Sequence, residues 1–492
     1  MNSDKELHNQ CLEEKRLKPL EPSPAGNCLD VDMLPQEPEK ASTTREIPGN
    51  TQSSSIFMEV QEANNISKAA YKELMTIALE AQTWVVSTPA LGSLEEFLQM
   101  FRSPPPSGMR VERSIESAIV PVAPDSLVTL MMDMDKWSSS LSHIVFHGFK
   151  DVTGDILQRL CKSDKEIKDM IMMYAECQLP TPFVQSREFH FLRCLREIQP
   201  NIWAIVDLSD DYFSYKSDSA FDAVCQRRPS GLIVRRHDKY SQVIWIENVL
   251  VYEYDLKNGM DYGMISSNLA FSAKHWVGAL IWKLKRNDSR FINVKMKVDQ
   301  CAHTTLLNLT DSMKDCFLDM VNEMPDGIQA KPISVFDFLI KKNMELQWPS
   351  SLNPEEPEEV IKFASDDDSN CITLLKKAVI WNKSVKNEYM LREISTDGFC
   401  SFVISAPMTQ LDVNAAFFFG RWTDTLLQPS GFAIMPGGSD GLHSDVSLVT
   451  IAMQQQCNIS ELDDIIEFLS GLVGVIIEEI HEEVRSGCKE SC

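Results

Sequence analysis

Three charged residues occur on segments with strand-like patterns whose other residues are apolar. Arg193, Asp207 and Glu247 each share an every-second-residue pattern with large apolar side chains, and such positions lie on one face of a strand. An unpaired charge on a buried face is costly. The functional interpretation is an internal ion pair that orients the hydroxyl or head group of a ligand. Two structural alternatives remain: the charges form a purely structural pair, or they lie on the solvent face of the sheet.

The segments that carry these charges predict a sheet closed by a helix. Strand-like runs rich in aromatic and β-branched residues cover 183–194, 203–209, 231–235 and 242–252. Residues 261–285 contain no proline and place apolar residues at helical spacing. Such a stripe suits core packing as well as a ligand wall. As candidate ligand-binding residues on this wall we name Phe189, Phe191, Arg193, Trp203, Ile205, Asp207, Trp245, Glu247, Phe271 and Trp276.

Other groups of reactive residues give little support to catalysis or metal binding. His143 and His147 are four residues apart, which suits a metal site on a helix. The surrounding residues are strand-like, however, and positions four apart on a strand lie about 13 Å from each other. The sequence contains no Gly-x-Ser-x-Gly, Walker or GxGxxG motif. We predict a non-enzymatic protein without catalytic residues, metal or cofactor.

Composition argues against direct DNA binding. The 492 residues include 47 Lys and Arg against 71 Asp and Glu, a formal charge of −24. Neutralising DNA phosphates requires a basic face, and short clusters such as Arg227-Arg228 and Arg235-Arg236 are predicted to be solvated surface. The 13 cysteines lack CxxC spacing, which predicts reduced thiols in a cytosolic or nuclear protein. No apolar run approaches the roughly 20 residues of a membrane span.

The rest of the sequence predicts a second domain that again consists of strands followed by a long helix. Residues 67–81 and 310–321 have amphipathic helical spacing, and Asp125 is a candidate N-cap for a helix through Met134. A strand is predicted at 292–307. Further strands are predicted at 360–364, 371–381, 388–394, 400–404 and 446–453, followed by an apolar-faced helix at 460–484.

Several segments resemble one known family. VQSREFHFLRCLREIQPNIWAIVDLS (184–209), YSQVIWIENVLVYEYD (240–255) and NLAFSAKHWVGALIWKL (268–284) resemble the START lipid-binding domain of plant class IV homeodomain–leucine-zipper proteins. VFDFLIKKNMELQWPSSL (335–352), FVISAPMTQLDV (402–413) and LQPSGFAIMPGG (427–438) resemble the START-associated domain that follows in that family. The charged stretch 153–168 departs from the glycine-rich hairpin of the family. No segment of the sequence resembles a homeodomain recognition helix or a leucine heptad repeat.

The resemblance implies a fold and a domain organisation. We expect an α+β, START-like helix-grip fold, in which a curved antiparallel sheet surrounds a long C-terminal helix, and then a second, degenerate helix-grip-like domain. The expected boundaries are a disordered polar arm at 1–62, the START-like domain at 63–290, the START-associated domain at 291–486 and a tail at 487–492.

The resemblance also implies a non-catalytic lipid- or sterol-binding regulator of transcription in a plant nucleus, with the cytoplasm as a further location. This expectation includes no DNA-binding domain in the chain, and protein partners among related transcription factors. The alternative that the sequence leaves open is a protein-interaction scaffold whose cavity has collapsed.

Overall fold

In the computed structural model, the described residues from Gln52 onward belong to one compact unit. The structure describes residues 51–85, 87, 94–151, 167–181, 184–213, 225–252, 269–286, 300–322, 328–330, 357–364, 370–381, 384–419, 427–436, 447–454, 475–476 and 478.

The first sheet is a curled antiparallel half-barrel. Its strand order is β1-β8-β7-β5-β4-β3-β2, and β6 pairs with β8 at one side. The strands are β1 (Met109–Val120), β2 (Val145–Asp151), β3 (Ile167–Cys177), β4 (Arg187–Gln199), β5 (Ile202–Ser209), β6 (Cys225–Arg227), β7 (Ser230–His237) and β8 (Tyr240–Tyr252). The four predicted runs correspond to β4, β5, β7 and β8, whereas β3 was not predicted.

Helices cover both faces of this sheet. The helices are α1 (Thr51–Glu80), α2 (Glu95–Arg102), α3 (Pro124–Met132), α4 (Met134–Ser140) and α5 (Ala273–Arg286). On the outer face, Leu74 of α1 belongs to an apolar cluster with Ile244 of β8. On the inner face, Trp276 of α5 belongs to the cluster that contains Phe191 and Trp245. This arrangement confirms the predicted α+β helix-grip fold, with α5 as the gripped helix.

A second antiparallel sheet follows in the order β10-β11-β12-β13-β14-β15-β9. Its strands are β9 (Ile328–Ala330), β10 (Glu358–Ala364), β11 (Cys371–Trp381), β12 (Ser384–Thr396), β13 (Ser401–Met408), β14 (Ser430–Pro436) and β15 (Ser447–Met453), and the helices of this half are α6 (Gln300–Asn322) and α7 (Gln410–Phe419). The buried face of α6, including Met313 and Phe317, joins the same core as the inner face of the first sheet.

Each sheet has a glycine at a point where two neighbouring strands approach each other very closely. Both β7 and β14 begin with a Pro-Ser-Gly sequence, at 229–231 and 429–431. A Cβ atom on Gly231 would lie 2.0 Å from the carbonyl oxygen of Ile205, and one on Gly431 would lie 2.2 Å from that of Val403. The neighbouring strand therefore approaches the backbone too closely for any side chain.

Several local predictions were wrong. The first helix begins at Thr51, so residues 51–62 are helical rather than part of a disordered arm. Asp125 lies in the first turn of α3, whose N-cap is Ala123. Asp133 is the capping residue instead, because its carboxylate accepts a hydrogen bond from the Lys136 amide at the start of α4.

The predicted strand at 292–307 was also wrong where the structure describes it. Residues from Gln300 onward form α6, whose buried residues Leu306, Met313 and Phe317 follow helical spacing. The predicted helical residues 261–268 and 460–474 and the charged loop at 153–166 lie outside the described residues. Among the described helices, none combines the length and the hydropathy that a membrane crossing requires.

We predict that Gly231→Ala destabilises the protein by more than about 2 kcal/mol, since it combines a backbone clash with strain at φ +138. Gly108→Ala is the matched control, because Gly108 has φ +81 but open space around its Cβ position. Urea unfolding should show the larger loss for Gly231→Ala. Equal losses would mean that backbone conformation alone requires glycine.

Candidate functional site

The inner face of the first sheet and α5 form one apolar wall. Phe189, Phe191, Ile205, Trp245 and Trp276 are all buried in the same cluster. Their sequence neighbours on the strands, such as Leu192, Val206 and Ile244, belong to the separate outer cluster. The alternation inferred from the sequence thus assigns the strand faces as the structure shows them.

Three tryptophans stack across the space between α4, α5 and the sheet. The rings of Trp137 and Trp276 are 6.0 Å apart and inclined by 10°, and those of Trp276 and Trp245 are 5.4 Å apart and inclined by 12°. Trp276 therefore lies between an indole from α4 and an indole from β8. Its position is sensitive to any shift of α5 relative to the sheet.

Arg193 and Asp207 form a buried bidentate ion pair. They face each other on neighbouring strands β4 and β5. The Arg193 Nε and Nη2 atoms donate to the two Asp207 carboxylate oxygens at 2.7 and 2.8 Å, and Nη1 donates to the carbonyl oxygen of Met131 at 2.7 Å. The guanidinium also lies 4.6 Å from the centre of the Trp137 ring. The ion pair therefore lies against Trp137, one of the three stacked tryptophans.

Arg227 joins this pair to Glu247. Its Nη1 atom lies 3.1 Å from Glu247 Oε2 and 3.9 Å from Asp207 Oδ2. Glu247 also accepts a 2.7 Å hydrogen bond from the Trp245 indole. Arg193, Asp207, Arg227 and Glu247, which we call the buried ion chain, alternate in sign and are all at most 5% exposed.

Burial and charge oppose each other within the ion chain. Burial raises the pKa of Glu247 above its usual 4.5, and the charge of Arg227 offsets this only in part. Burial also acts to lower the pKa of Arg227, but the carboxylates of Glu247 and Asp207 outweigh it and raise that pKa. The charges therefore depend on one another for their ionised states.

A second buried pair lies at another part of the same sheet. Arg187 donates to both carboxylate oxygens of Glu112 at 2.7 and 3.0 Å and lies 4.1 Å from the ring of Phe271. Burial opposes ionisation of Glu112 most strongly, yet the charge of Arg187 and the hydrogen bonds to the carboxylate lower its pKa overall. The ring of Phe271 thus contacts a charged guanidinium group and not only apolar side chains.

The structure places nearly all the candidate wall residues together, and it buries two arginines that were predicted to be exposed. Trp203 is only partly buried at the edge of the apolar cluster. The prediction that Arg227 and Arg228 are solvated surface was wrong, since they are 2% and 4% exposed. Arg227 is the missing partner of Glu247. Its position next to Arg228, just before Pro229, did not reveal that β6 pairs with β8 and buries Arg227.

The chemistry of the wall favours binding over catalysis. Every carboxylate of the ion chain has a guanidinium partner. Burial raises the pKa of the nearby Cys177 and Cys225 thiols to about 12 and about 11, so neither is a nucleophilic thiolate at neutral pH. Three buried N–H groups, Trp137 Nε1, Trp276 Nε1 and Arg227 Nε, have no hydrogen-bond acceptor among the described residues.

His143, His275 and Asp397 form the group of described residues with metal-ligand chemistry. Both imidazole Nε2 atoms contact Asp397 Oδ2 directly, at 2.8 and 3.1 Å. These are hydrogen-bond distances. His147 lies on β2 and contacts Glu176 instead. His143 lies in the turn before β2 rather than on the strand, so the two histidines have different partners. No pattern in the sequence indicated Asp397 as a partner.

A surface cleft of about 310 Å³ lies apart from the wall, between α4, β2 and α6. Its lining includes Ser138, Ser142, His147 and Asp315. Burial raises the pKa of Asp315 above its usual 3.8. The lining also includes Val145, Phe146 and Leu318, so the cleft mixes polar and apolar groups and lacks the continuous apolar lining of the wall.

Two family models match separate parts of the chain. The model for the START domain matches residues 66–281, and the model for the PDF2-like C-terminal domain matches residues 327–485. A solved structure, the human StAR-related lipid transfer protein 5, is 9% identical with a TM-score of 0.27, covering 39% of this chain and 92% of its own.

Similar proteins come from two plants. Homeobox-leucine zipper protein HDG3 of Arabidopsis thaliana is 27% identical, with 83% of this chain and 62% of the relative covered. Homeobox-leucine zipper protein ROC8 of Oryza sativa subsp. japonica is 27% identical, with 69% and 53% covered. Homeobox-leucine zipper protein GLABRA 2 of Arabidopsis thaliana is 24% identical, with 80% and 60% covered. The chain thus spans 53 to 62% of the length of these relatives.

We predict that Asp207→Asn destabilises the protein by about 3–5 kcal/mol, because it leaves the buried Arg193 charge without its carboxylate. Glu197→Gln is the control, since it removes a carboxylate from an exposed pair with Lys168, where the expected loss is below about 1 kcal/mol. Chemical denaturation measures both. Similar losses for the two variants would contradict the buried pairing.

Proposed function

We propose that this chain, which joins a START domain to a PDF2-like C-terminal domain and has class IV homeodomain–leucine-zipper proteins as homologues, is a non-catalytic, lipid-binding regulatory protein. The ligand is a lipid or sterol held between the first sheet and α5. We take residues 63–290 as the lipid-binding domain and 291–486 as the associated domain, and we propose a role in the nucleus.

The observation that carries this proposal is the buried ion chain within an apolar wall. Arg193, Asp207, Arg227 and Glu247 are fixed polar groups surrounded by aromatic side chains such as Phe191. Ligand pockets combine an extended apolar lining with a few oriented polar groups in this way. The unpaired indole N–H groups add donors that a ligand oxygen would satisfy.

The regulatory step follows from binding to the folded state. A ligand that binds only the folded protein stabilises it by about 2.7 kcal/mol at a hundredfold excess over Kd. Lipid level would then set the abundance of the folded protein and its availability to partners. We propose related transcription factors as these partners.

The tryptophan stack favours one alternative, a protein-interaction scaffold with a collapsed cavity. Trp276 contacts indoles on both sides, so side chains occupy the space between helix and sheet at this point. A scaffold of this kind would bind related transcription factors without any lipid. Lipid content of the purified protein discriminates between the two functions.

We predict that Trp245→Phe reduces lipid retention several-fold while the protein still folds. The change removes the indole that contacts both Glu247 and Trp276 from the inner wall. Ile244→Val is the matched control, since this buried neighbour belongs to the outer cluster. Native mass spectrometry with lipid extraction compares the retained lipid. Retention that is equal in the two variants, or lipid-free wild-type protein, would favour the scaffold.

We also predict that this chain does not bind DNA directly, whatever the DNA sequence, because its formal charge is −24. Mobility-shift titrations with random duplexes at low salt provide the most permissive test, since screening is then weakest. A submicromolar complex that weakens steeply as salt is added would refute this prediction.

A further inference from the structure

Two segments of the START domain meet a single carboxylate of the second domain. Asp397 lies in the 397–400 turn between β12 and β13, and its side chain is 2% exposed. His143 comes from the segment between α4 and β2, and His275 comes from α5. Both Nε2 atoms donate to the same Asp397 oxygen, Oδ2. We call these three residues the His–Asp–His latch.

The other atoms of the latch are fixed as well. Asp397 Oδ1 accepts hydrogen bonds from the amides of Phe399 and Cys400 at 2.8 and 2.7 Å. The Nδ1 atom of His275 lies 2.7 Å from the carbonyl oxygen of Ala270. His275 therefore faces an oxygen at each ring nitrogen, the Ala270 carbonyl and the Asp397 carboxylate. His143, whose pKa is lowered by burial, donates to the same carboxylate as a neutral imidazole.

Contact between α5 and the turn extends beyond these side chains. A Cβ atom on Gly278 would lie 1.8 Å from the backbone oxygen of Asp397, so the turn lies directly on the helix. The ring of Phe399 lies 4.7 Å from that of His275. Further along α5, Arg286 lies 3.8 Å from the buried carboxylate of Glu393 on β12. The second domain therefore contacts α5 at His275, Gly278 and Arg286.

The same two START segments carry the tryptophan stack. His275 is adjacent to Trp276, and His143 follows α4, which contains Trp137. These are the two indoles that stack on each other in the apolar wall. One carboxylate thus fixes both segments, and a shift of either imidazole would move an indole of the ligand wall.

We propose that Asp397 is a positioning residue of the lipid site, through which the second domain sets the affinity of the START domain for its ligand. It acts through His275 and His143 and does not touch the ligand. The proposal rests on the proposed lipid-binding function. It adds that the ligand site is incomplete without the associated domain, since the carboxylate that orients its two tryptophan-bearing segments comes from there.

The surroundings of the latch determine how it responds to pH. Burial first, and then the charge of Lys314, lower the pKa of His143 from 6.5 to about 4. Burial opposes ionisation of Asp397, but the charge of His275 and the two hydrogen bonds hold its pKa well below 3.8. Burial raises the pKa of the neighbouring Cys400 thiol well above 9.0. Lys314 also faces Glu393, whose pKa is lowered against the effect of burial by Arg286 and Lys314.

The sign of the pH effect follows from His143. Between pH 4 and 6.5 the unfolded state binds a proton at His143 that the folded state does not. Stability must therefore fall as pH falls through this window. The carboxylate of Asp397, whose pKa lies well below 3.8, and the thiol of Cys400, whose pKa lies well above 9.0, keep their charge states across it.

The test uses the full chain and Asp397→Asn, which keeps the shape of the side chain but removes its charge. Glu388→Gln is the matched control, because it removes an exposed carboxylate from the same strand, β12. The first readout is near-ultraviolet circular dichroism, with Trp276→Phe identifying the signal of the stack. The second is the Kd for dansyl-labelled undecanoic acid, measured by energy transfer from tryptophan.

We expect Asp397→Asn to lose the stack signal and to raise Kd by about tenfold, a typical coupling between sites, with unchanged far-ultraviolet dichroism. Glu388→Gln should match the wild type. If Asp397→Asn does not fold, the milder His275→Gln must give the same two changes. Wild-type values in the variant, or equal changes in the control, would overturn the proposal.

Two further outcomes separate the proposal from its premise and from a metal site. If wild-type protein does not bind the probe, the lipid function fails, while the stack signal still decides whether Asp397 positions the tryptophans. His143→Gln should remove part of the fall in Tm between pH 6.5 and 4.5, and a wild-type profile would overturn the latch. A chelator should leave the Tm of the wild type unchanged. A fall in Tm that Zn²⁺ restores would indicate instead that a metal ion bridges the three residues.

Discussion

Pairing of buried charge is the constraint on which the inner half of this structure depends. Arg193, Asp207, Arg227 and Glu247 lie in apolar surroundings, where each alone would be strongly unfavourable. Each is tolerated because the strand register places an opposite charge within reach, as for Arg193 opposite Asp207. The strand register and the surrounding aromatic packing are thus the features that make these buried charges tolerable.

The same requirement recurs where the two sheets meet. Asp397 is buried against two imidazoles, and Glu393 is buried against Arg286 and Lys314. These carboxylates come from the second sheet or its connecting turn, whereas His143, His275 and Arg286 come from the helices and the turn that accompany the first sheet. Buried ion pairs have exacting geometry, so they specify one arrangement of the two halves rather than a range of packings.

The helix α5 links both sets of charges. One side of it places Trp276 between two indoles of the apolar wall, and another side receives the 397–400 turn through His275 and Gly278. A rigid helix transmits displacement between its faces because its backbone hydrogen bonds fix their relative orientation. The apolar wall and the second sheet are therefore connected through one helix.

The sequence alone determined the fold class, because alternation and helical periodicity are local consequences of which side chains must be buried. It also identified Arg193, Asp207 and Glu247 as charges on an apolar strand face, and it named Trp245 and Trp276 as wall residues, which the structure buries in one cluster. Prediction from the sequence failed where contacts between distant segments determine whether a residue is buried or which secondary structure it adopts. Arg227 looked like surface until β6 paired with β8, and residues 300–307 looked like a strand until α6 formed.

The partners of the buried charges were decided by tertiary structure only. Asp397 lies 254 residues from His143 and 122 from His275, and no local pattern distinguishes it from an exposed aspartate in a turn. Its role exists only because two sheets pack on one helix. Sequence periodicity reports which residues are buried, whereas the choice of partner for a buried charge depends on contacts between segments that are distant in the chain.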